Sequence, residues 1–135
     1  MGLKILLADA EPNVALLLEN CLKANGFEVV SAMDGVTALE KAREERPSLI
    51  VLDPILPKMD GFQVCGLLKA DAQSFRIPIV MLTARSPECG VQRDGKADAY
   101  IARPFEPRAL LAAIEGLISR CSQAPSPESN RTSGR

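Results

Sequence analysis

Short apolar runs alternate along the chain with longer stretches in which apolar residues recur at helical spacing. A short run without a polar face suits a strand that is covered on both sides, whereas a repeat of about 3.6 residues suits a helix that packs along one stripe. The runs that we predict to be strands are 3–8, 28–32, 49–52, 77–82 and 99–102. A helical pattern follows each of them.

Cap and turn residues mark the ends of the predicted helices. Pro12 suits the first turn of one helix, and Asp34 suits the N-cap of a second helix predicted over 36–45. Further helices are predicted after Gly61 and from about Pro107. In the first helix, the apolar stripe is predicted to comprise Val14, Leu17, Leu18, Cys21 and Leu22.

The alternation of strands and helices predicts parallel strands joined by crossover connections, with helices on both faces of one sheet. The predicted fold class is therefore α/β, a (βα)5 doubly wound domain with a five-stranded parallel sheet. The helix expected over 86–95 contains one proline and two glycines, so we predict that it is short and loosely held.

The composition bounds the organisation of the chain. With 135 residues, of which 47% are hydrophobic, the chain can bury the core of one domain. We predict that this domain covers 1–121 and that the polar segment 122–135 is a disordered tail or linker. The formal net charge of −1 argues against binding to nucleic acid or an anionic membrane. No apolar stretch reaches the length of about 20 residues that a membrane helix needs, so we expect a cytoplasmic protein.

The sequence lacks histidine, and its four cysteines are widely spaced. These absences exclude a Ser-His-Asp or Cys-His nucleophile and make a Cys/His metal site implausible. The remaining candidates for chemistry are carboxylates, cations and hydroxyl groups.

Polar residues follow four of the predicted strands at the point where each strand ends. Asp9 and Glu11 follow the first strand, Asp53 follows the third, Thr83 the fourth and Arg103 the fifth. Because the carboxyl ends of parallel strands meet at one edge of a sheet, we expect these side chains to converge around Asp53. Such a set suits a phosphoryl group on the aspartate: carboxylates can hold Mg²⁺, and the hydroxyl and guanidinium can contact phosphoryl oxygens.

The run from about 3 to 118 resembles the receiver domain of bacterial two-component response regulators, which has a flavodoxin-like fold. The matching segments are ILLADAEP at 5–12, Asp53 with Pro57 and Asp60-Gly61, MLTA at 81–84 and ADAYIARPF at 97–105. The resemblance implies a signalling protein rather than an enzyme, with at most self-phosphorylation and dephosphorylation at Asp53.

The resemblance also implies roles and partners. Asp53 would accept a phosphoryl group from the histidine of a partner kinase or phosphotransfer protein. Thr83 and Arg103 would contact the phosphoryl group, and Tyr100 would be the aromatic switch. The output would be contact with a downstream protein through the face formed by the 86–95 helix, the last strand and the last helix, and formation of a homodimer is left open.

In the metal site that the resemblance implies, Asp9, Asp53 and the backbone carbonyl of Ile55 would hold Mg²⁺. Family members usually have a second acidic residue after the first strand, where this chain has Ala10. Residues that contact a metal only indirectly already contribute about 10–100-fold to its affinity, so loss of a direct carboxylate should lower the Mg²⁺ affinity by at least that much. We therefore expect Mg²⁺ to bind weakly or not at all. Glu11 is an alternative ligand.

Two other functions are compatible with parts of this pattern. A pseudo-receiver would use the same scaffold as a constitutive docking or dimerisation module that does not depend on phosphorylation. An aspartate-nucleophile phosphohydrolase would need a second acidic residue two positions after Asp53, where the chain has Ile55, which argues against that reading.

Overall fold

The computed structural model of the chain describes residues 3–83, 97–102 and 107–123. The strands in this part are β1 (Lys4–Ala8), β2 (Glu28–Ala32), β3 (Leu49–Leu52), β4 (Ile79–Thr83) and β5 (Ala99–Ala102). The helices are α1 (Pro12–Ala24), α2 (Gly35–Glu45), α3 (Gly61–Ala70) and α4 (Pro107–Gln123).

The five strands form one sheet in the order β2-β1-β3-β4-β5, and every neighbouring pair is parallel. This confirms the predicted α/β class and the five-stranded parallel sheet. The central strand β3 is buried along its whole length, as its uninterrupted apolar sequence predicts. The order is that of flavodoxin-like folds, in which ligands bind beyond the carboxyl ends of the strands.

Helices cover both faces of the sheet, and each face has its own apolar cluster. We call the first cluster the α2/α3 core; its fully buried members include Leu6, Ile50, Leu68 and Met81. We call the second the α1/α4 core; its fully buried members include Ile5, Leu18, Val51 and Ile114. Alternate residues of β1 and β3 contribute to opposite cores, so the central strands hold the two layers together.

The helix boundaries follow the cap residues closely. Asp34 is the N-cap of α2, and its carboxylate accepts a hydrogen bond from the backbone N–H of Thr37. Asp60 forms a capping box with Gln63 at the start of α3. These side chains satisfy backbone donors that the first turn of a helix leaves without partners, which explains why the helices begin there.

Several details of the predicted elements are wrong. Strand β1 begins at Lys4 rather than at residue 3, and Thr83, which was predicted to follow the fourth strand, is the last residue of β4. Strand β4 begins at Ile79 rather than at residue 77, because Pro78 has no backbone N–H to donate to the sheet. In α1, Leu17 is 56% exposed, and the buried line consists of Ala15, Leu18 and Leu22.

Several predictions fall on residues outside the described part of the chain. These are the helix over 86–95, Arg103, and segment 124–135 of the predicted tail; α4 itself continues to Gln123. Within the described part, Cys21 is partly buried and Cys65 is buried. None of the helices there has both the length and the apolar character needed to cross a membrane.

Candidate functional site

Asp9 and Asp53 lie side by side beyond the ends of two neighbouring strands. Ala8 of β1 is in register with Leu52 of β3, so the residue that follows each strand is a carboxylate. The backbone N–H of Asp53 donates to the carbonyl of Ala8 at 3.0 Å, and the N–H of Asp9 donates to the carbonyl of Ala32 at 3.1 Å. The sheet hydrogen bonding therefore continues through both aspartates and fixes their backbones.

Both carboxylates are held by the backbone of the loops that follow them. Oδ1 of Asp9 accepts a hydrogen bond from the N–H of Glu11, and Oδ1 of Asp53 accepts one from the N–H of Ile55, each at 2.9 Å. Such bonds to the residue two positions on are typical of aspartates at turns. Asp9 is fully buried and Asp53 is 6% exposed. Two buried carboxylates at the ends of neighbouring strands supply the oxygen ligands that a hard cation such as Mg²⁺ prefers.

The loop after β3 passes very close to Asp53, and a glycine makes this possible. A Cβ at Gly61 would overlap the backbone oxygen of Asp53 and lie 2.7 Å from the Cα of Pro54. The N–H of Gly61 donates to the carbonyl of Pro54 at 2.9 Å, which closes the loop. The Asp60-Gly61 pair that the sequence marked as a helix start therefore also shapes the edge of the site.

The same loop contains a tight turn that the sequence did not signal. Lys58 has a positive φ of 69°, and around it the N–H of Met59 donates to the carbonyl of Pro57 at 2.7 Å. The carbonyl of Pro57 also accepts a hydrogen bond from the N–H of Gly35, at 3.1 Å. The start of α2 thus holds the turn in place. Lysine has no particular preference for this conformation, so local sequence gave no indication of it.

Asp34 links this loop to α2. Its carboxylate accepts hydrogen bonds from the backbone N–H and the hydroxyl of Thr37, at 2.7 and 3.0 Å. The ammonium of Lys58 lies 3.9 Å from Asp34 Oδ2. The Thr37 backbone hydrogen bond is the main reason that the pKa of Asp34 lies below 3.8, with the nearby Lys58 charge acting in the same direction.

Ala10 and Glu11, which follow Asp9, are at the positions that could add a ligand to the predicted metal site. Ala10 is half-buried and packs against the α2/α3 core, and Glu11 is exposed at the N-cap of α1. Within residues 3–83, 97–102 and 107–123, no three acidic, cysteine or histidine side chains form a group that could hold a metal ion.

The other predicted site residues come from the ends of β4 and β5. Thr83 is the last residue of β4, and its backbone is in register with Ala102 of β5, immediately before Arg103. The side chain of Thr83 and all of Arg103 lie outside the described part. Tyr100 packs against the α2/α3 core, and its hydroxyl accepts a hydrogen bond from the N–H of Ala97 at 3.3 Å.

Comparison with protein families decides the assignment. The model of the response regulator receiver domain matches residues 5–115, which is most of the chain and includes every predicted site residue. The chain belongs to this family. It is therefore a receiver domain of two-component signal transduction, a class that signals through a phosphoacceptor aspartate and protein contacts and generally is not enzymatic.

The chain is similar to part of each of two known regulators. It is 41% identical over 133 residues to the alkaline phosphatase synthesis transcriptional regulatory protein PhoP of Bacillus subtilis, covering 95% of this chain and 54% of that protein. It is 38% identical over 127 residues to the DNA-binding response regulator MtrA of Mycolicibacterium smegmatis, covering 93% of this chain and 54% of that protein. The chain thus spans about half the length of these relatives.

Solved structures agree with the assignment. A response regulator from Chloroflexus aurantiacus superposes with a TM-score of 0.82 at 30% identity, covering 89% of this chain and all of that one. The receiver domain of the sensor histidine kinase PA1611 from Pseudomonas aeruginosa superposes with a TM-score of 0.78 at 26% identity, covering 88% of this chain and 99% of that one. That protein has a magnesium ion coordinated in its active-site cleft.

Proposed function

We propose that Asp53 is the phosphoacceptor of this receiver domain. The observation that carries the proposal is its position: it follows the buried central strand β3, is 6% exposed, and stands beside the fully buried Asp9. The N–H of Ile55 donates to the Asp53 carboxylate, and the backbone N–H of Asp53 donates to the carbonyl of Ala8, so both the side chain and the backbone of Asp53 are held in place. Rigid placement favours phosphoryl transfer, because in such reactions the protein contributes mainly positioning and charge stabilisation.

The phosphoryl donor is a phosphohistidine of a kinase or phosphotransfer protein. The receiver has no histidine of its own, so the partner must supply that residue. Thr83 and Arg103 contact the phosphoryl group once it is on Asp53, and Tyr100 changes its environment in response. The signal then passes to a downstream protein in the cytoplasm. This part of the proposal rests on the match of these positions to the family pattern.

The site can use Mg²⁺ only weakly. The donors that fit the ion are the carboxylates of Asp9 and Asp53 and the carbonyl of Ile55, and one or two carboxylates with water are an ordinary set for Mg²⁺. At the next position, however, the methyl group of Ala10 packs against the α2/α3 core where family members usually have an acid. When bound, the ion would neutralise phosphoryl oxygens; without it, Arg103 supplies the positive charge.

We further propose that the receiver unit covers 1–121 and that 122–135 is a tail or linker, of which residues 122 and 123 still belong to α4. Its support is the change to a polar sequence rich in serine and proline after Cys121.

The phosphoacceptor proposal is tested with a small-molecule phosphodonor and Mg²⁺, followed by mass spectrometry of the intact protein. We expect one phosphoryl adduct that is acid-stable and base-labile. Asp53→Asn should lose the adduct. Asp60→Asn is the matched control, because Asp60 is an exposed carboxylate in the same loop and asparagine also caps helices well. This control should keep the adduct.

An unmodified wild-type protein, or an adduct that persists in Asp53→Asn, would overturn the proposal. The first result would favour the pseudo-receiver, which the comparisons do not favour over the receiver. Comparing binding of the downstream protein with and without phosphodonor separates the two functions, because a constitutive docking module binds equally in both conditions.

A further inference from the structure

Lys69 is a lysine in the last turn of α3 with all three ammonium donors engaged. Its Nζ donates to the carbonyls of Phe75 and Ile77, at 3.1 and 2.9 Å, and to Oδ2 of Asp98 at 2.8 Å. An ammonium has three donors, so this set saturates it. The side chain is only 18% exposed. Most surface lysines are mobile and solvated, whereas this one is held between the end of α3, the connection to β4, and the residue before β5.

Asp98 connects this ammonium to the sheet. The same Oδ2 that binds Lys69 accepts a hydrogen bond from the N–H of Ile79 at 2.8 Å. The N–H of Asp98 in turn donates to the carbonyl of Ile79, also at 2.8 Å. These bonds extend the pairing of β4 with β5 by one residue beyond the register of Val80 with Ala99. We call Lys69 and Asp98 the α3–β5 node.

The α3–β5 node is connected to Tyr100 through the residue that precedes Asp98. Ala97, the neighbour of Asp98, donates its backbone N–H to the Tyr100 hydroxyl at 3.3 Å. The aromatic ring packs against the α2/α3 core, to which Ala97 and Ile77 also contribute. The hydroxyl of Tyr100 is therefore held by a backbone segment whose position depends on Asp98, which is in turn held by Lys69.

We propose that Lys69 is a positioning residue for Tyr100. Its ammonium fixes Asp98, and through it the 97–98 backbone that binds the Tyr100 hydroxyl, so that the ring has one resting position. The significance for signalling rests on the proposed switch role of Tyr100. The positioning itself is a property of the unphosphorylated protein and can be tested there.

The chain offers a selective probe, since Tyr100 is its only tyrosine and it has no tryptophan. Tyrosine fluorescence and its quenching by acrylamide therefore report on this one ring. In Lys69→Met, which removes the charge and all three donors, we expect the quenching constant to rise by about twofold as the 97–98 segment opens locally. Lys4→Met is the matched control: it breaks the Lys4–Glu45 pair, also 2.8 Å long, which links β1 to α2 and does not contact β5.

A double-mutant cycle tests the route through Asp98. If Lys69 acts through Asp98, then Lys69→Met with Asp98→Ala should raise the quenching constant no more than the larger single change. Additive effects would overturn this route. Should far-UV circular dichroism show that Lys69→Met is unfolded, Lys69→Gln replaces it in the same measurements.

Unchanged quenching in a folded Lys69 variant, or an equal rise in Lys4→Met, would overturn the proposal. Neither result depends on phosphorylation. Conversely, failure to phosphorylate Asp53 would overturn the proposed function and leave the fluorescence result as it is.

Discussion

At the scale of single residues, Gly61 is a position where the fold leaves no room for a side chain. A Cβ there would overlap the backbone oxygen of Asp53, and backbone cannot move aside as a flexible side chain can. We expect Gly61→Ala to lower the free energy of unfolding by about 1–3 kcal/mol, the usual cost of overpacking. Urea denaturation followed by circular dichroism measures it.

Gly116 provides the matched control for this substitution. It lies inside α4, and a Cβ there would meet nothing within 4 Å. We expect Gly116→Ala to raise the free energy of unfolding by about 0.5–1 kcal/mol, because alanine loses less conformational freedom in a helix. Equal effects of the two substitutions would contradict the close approach of the loop to Asp53.

Ala10 stands where the family resemblance leads us to expect a second carboxylate after β1. Restoring a carboxylate with Ala10→Asp should tighten Mg²⁺ binding by about 10–100-fold or more, since even indirect metal partners contribute that much. Isothermal titration calorimetry measures the affinity, and Ala10→Asn controls for size without charge. Equal Mg²⁺ affinities in the two variants would mean that position 10 does not face the metal site.

Asp9 and Asp53 could be identified from the sequence because each is a carboxylate that directly follows an apolar strand, a pattern that neighbouring residues alone reveal. The sequence did not identify the roles of Lys58 or Lys69. Lys58 adopts a positive φ in a turn that the N–H of Gly35, at the start of α2, holds through the carbonyl of Pro57. Lys69 is engaged by carbonyls that only the folded chain brings together. Such roles depend on tertiary contacts and leave no pattern in the chain.

At the scale of elements, the N-cap of α2 gives a pH-dependent contribution to stability. The pKa of Asp34 is lowered, chiefly by the Thr37 N–H, so its carboxylate stabilises the fold above the unfolded value of 3.8. This stabilisation is lost as the pH falls below 3.8 through the folded value. We therefore expect Asp34→Ala to lower the melting temperature at pH 7, and the difference from wild type to shrink toward pH 3.

Thermal melts of both proteins across this pH range measure the difference, in which the titration of other carboxylates largely cancels. Asp34→Asn is the control, because asparagine caps a helix without titrating. Its melting temperature should exceed that of Asp34→Ala by the same amount at pH 7 and at pH 3. A gap between Asp34→Ala and wild type that stays constant down to pH 3 would show that the charge of Asp34 contributes nothing to the cap.

Helix α1 shows why the position of a helix in the sequence was easier to predict than the face that it buries. Its start at Pro12 and its end before Asn25 follow from local signals. The run from Ala15 to Leu18 is apolar throughout, so periodicity alone could not decide which residues face the sheet. The structure shows that Ala15, Leu18 and Leu22, at spacings of three and four residues, form the buried face, whereas Leu17 lies off this line and is 56% exposed.

At the scale of the whole molecule, the regular alternation of strands and helices was sufficient to predict the parallel sheet and its two helical layers. The fold has two cores that share strands β1, β3 and β4. A layered domain of this kind could unfold one face at a time or as a unit. Each central strand contributes alternate side chains to the two cores. If the helices on one face detached, the apolar side chains of these strands on that face would be exposed to water. We therefore expect both layers to unfold together in one cooperative transition.

Two conservative core substitutions test this expectation. Ile5 lies in the α1/α4 core and Ile79 in the α2/α3 core, both fully buried, and β3 separates their strands. We expect Ile5→Val and Ile79→Val each to cost about 0.5–1.5 kcal/mol. Since the two side chains are on opposite faces, the loss of unfolding free energy in the double variant should equal the sum of the two single losses within about 0.3–0.5 kcal/mol.

Two spectroscopic probes follow the two layers. Tyr100 fluorescence reports on the α2/α3 face and circular dichroism on all helices, and the two should give coincident urea transitions in every variant. A fluorescence transition that responds to Ile79→Val but not to Ile5→Val would mean that the two layers unfold separately, and that the sheet does not couple them.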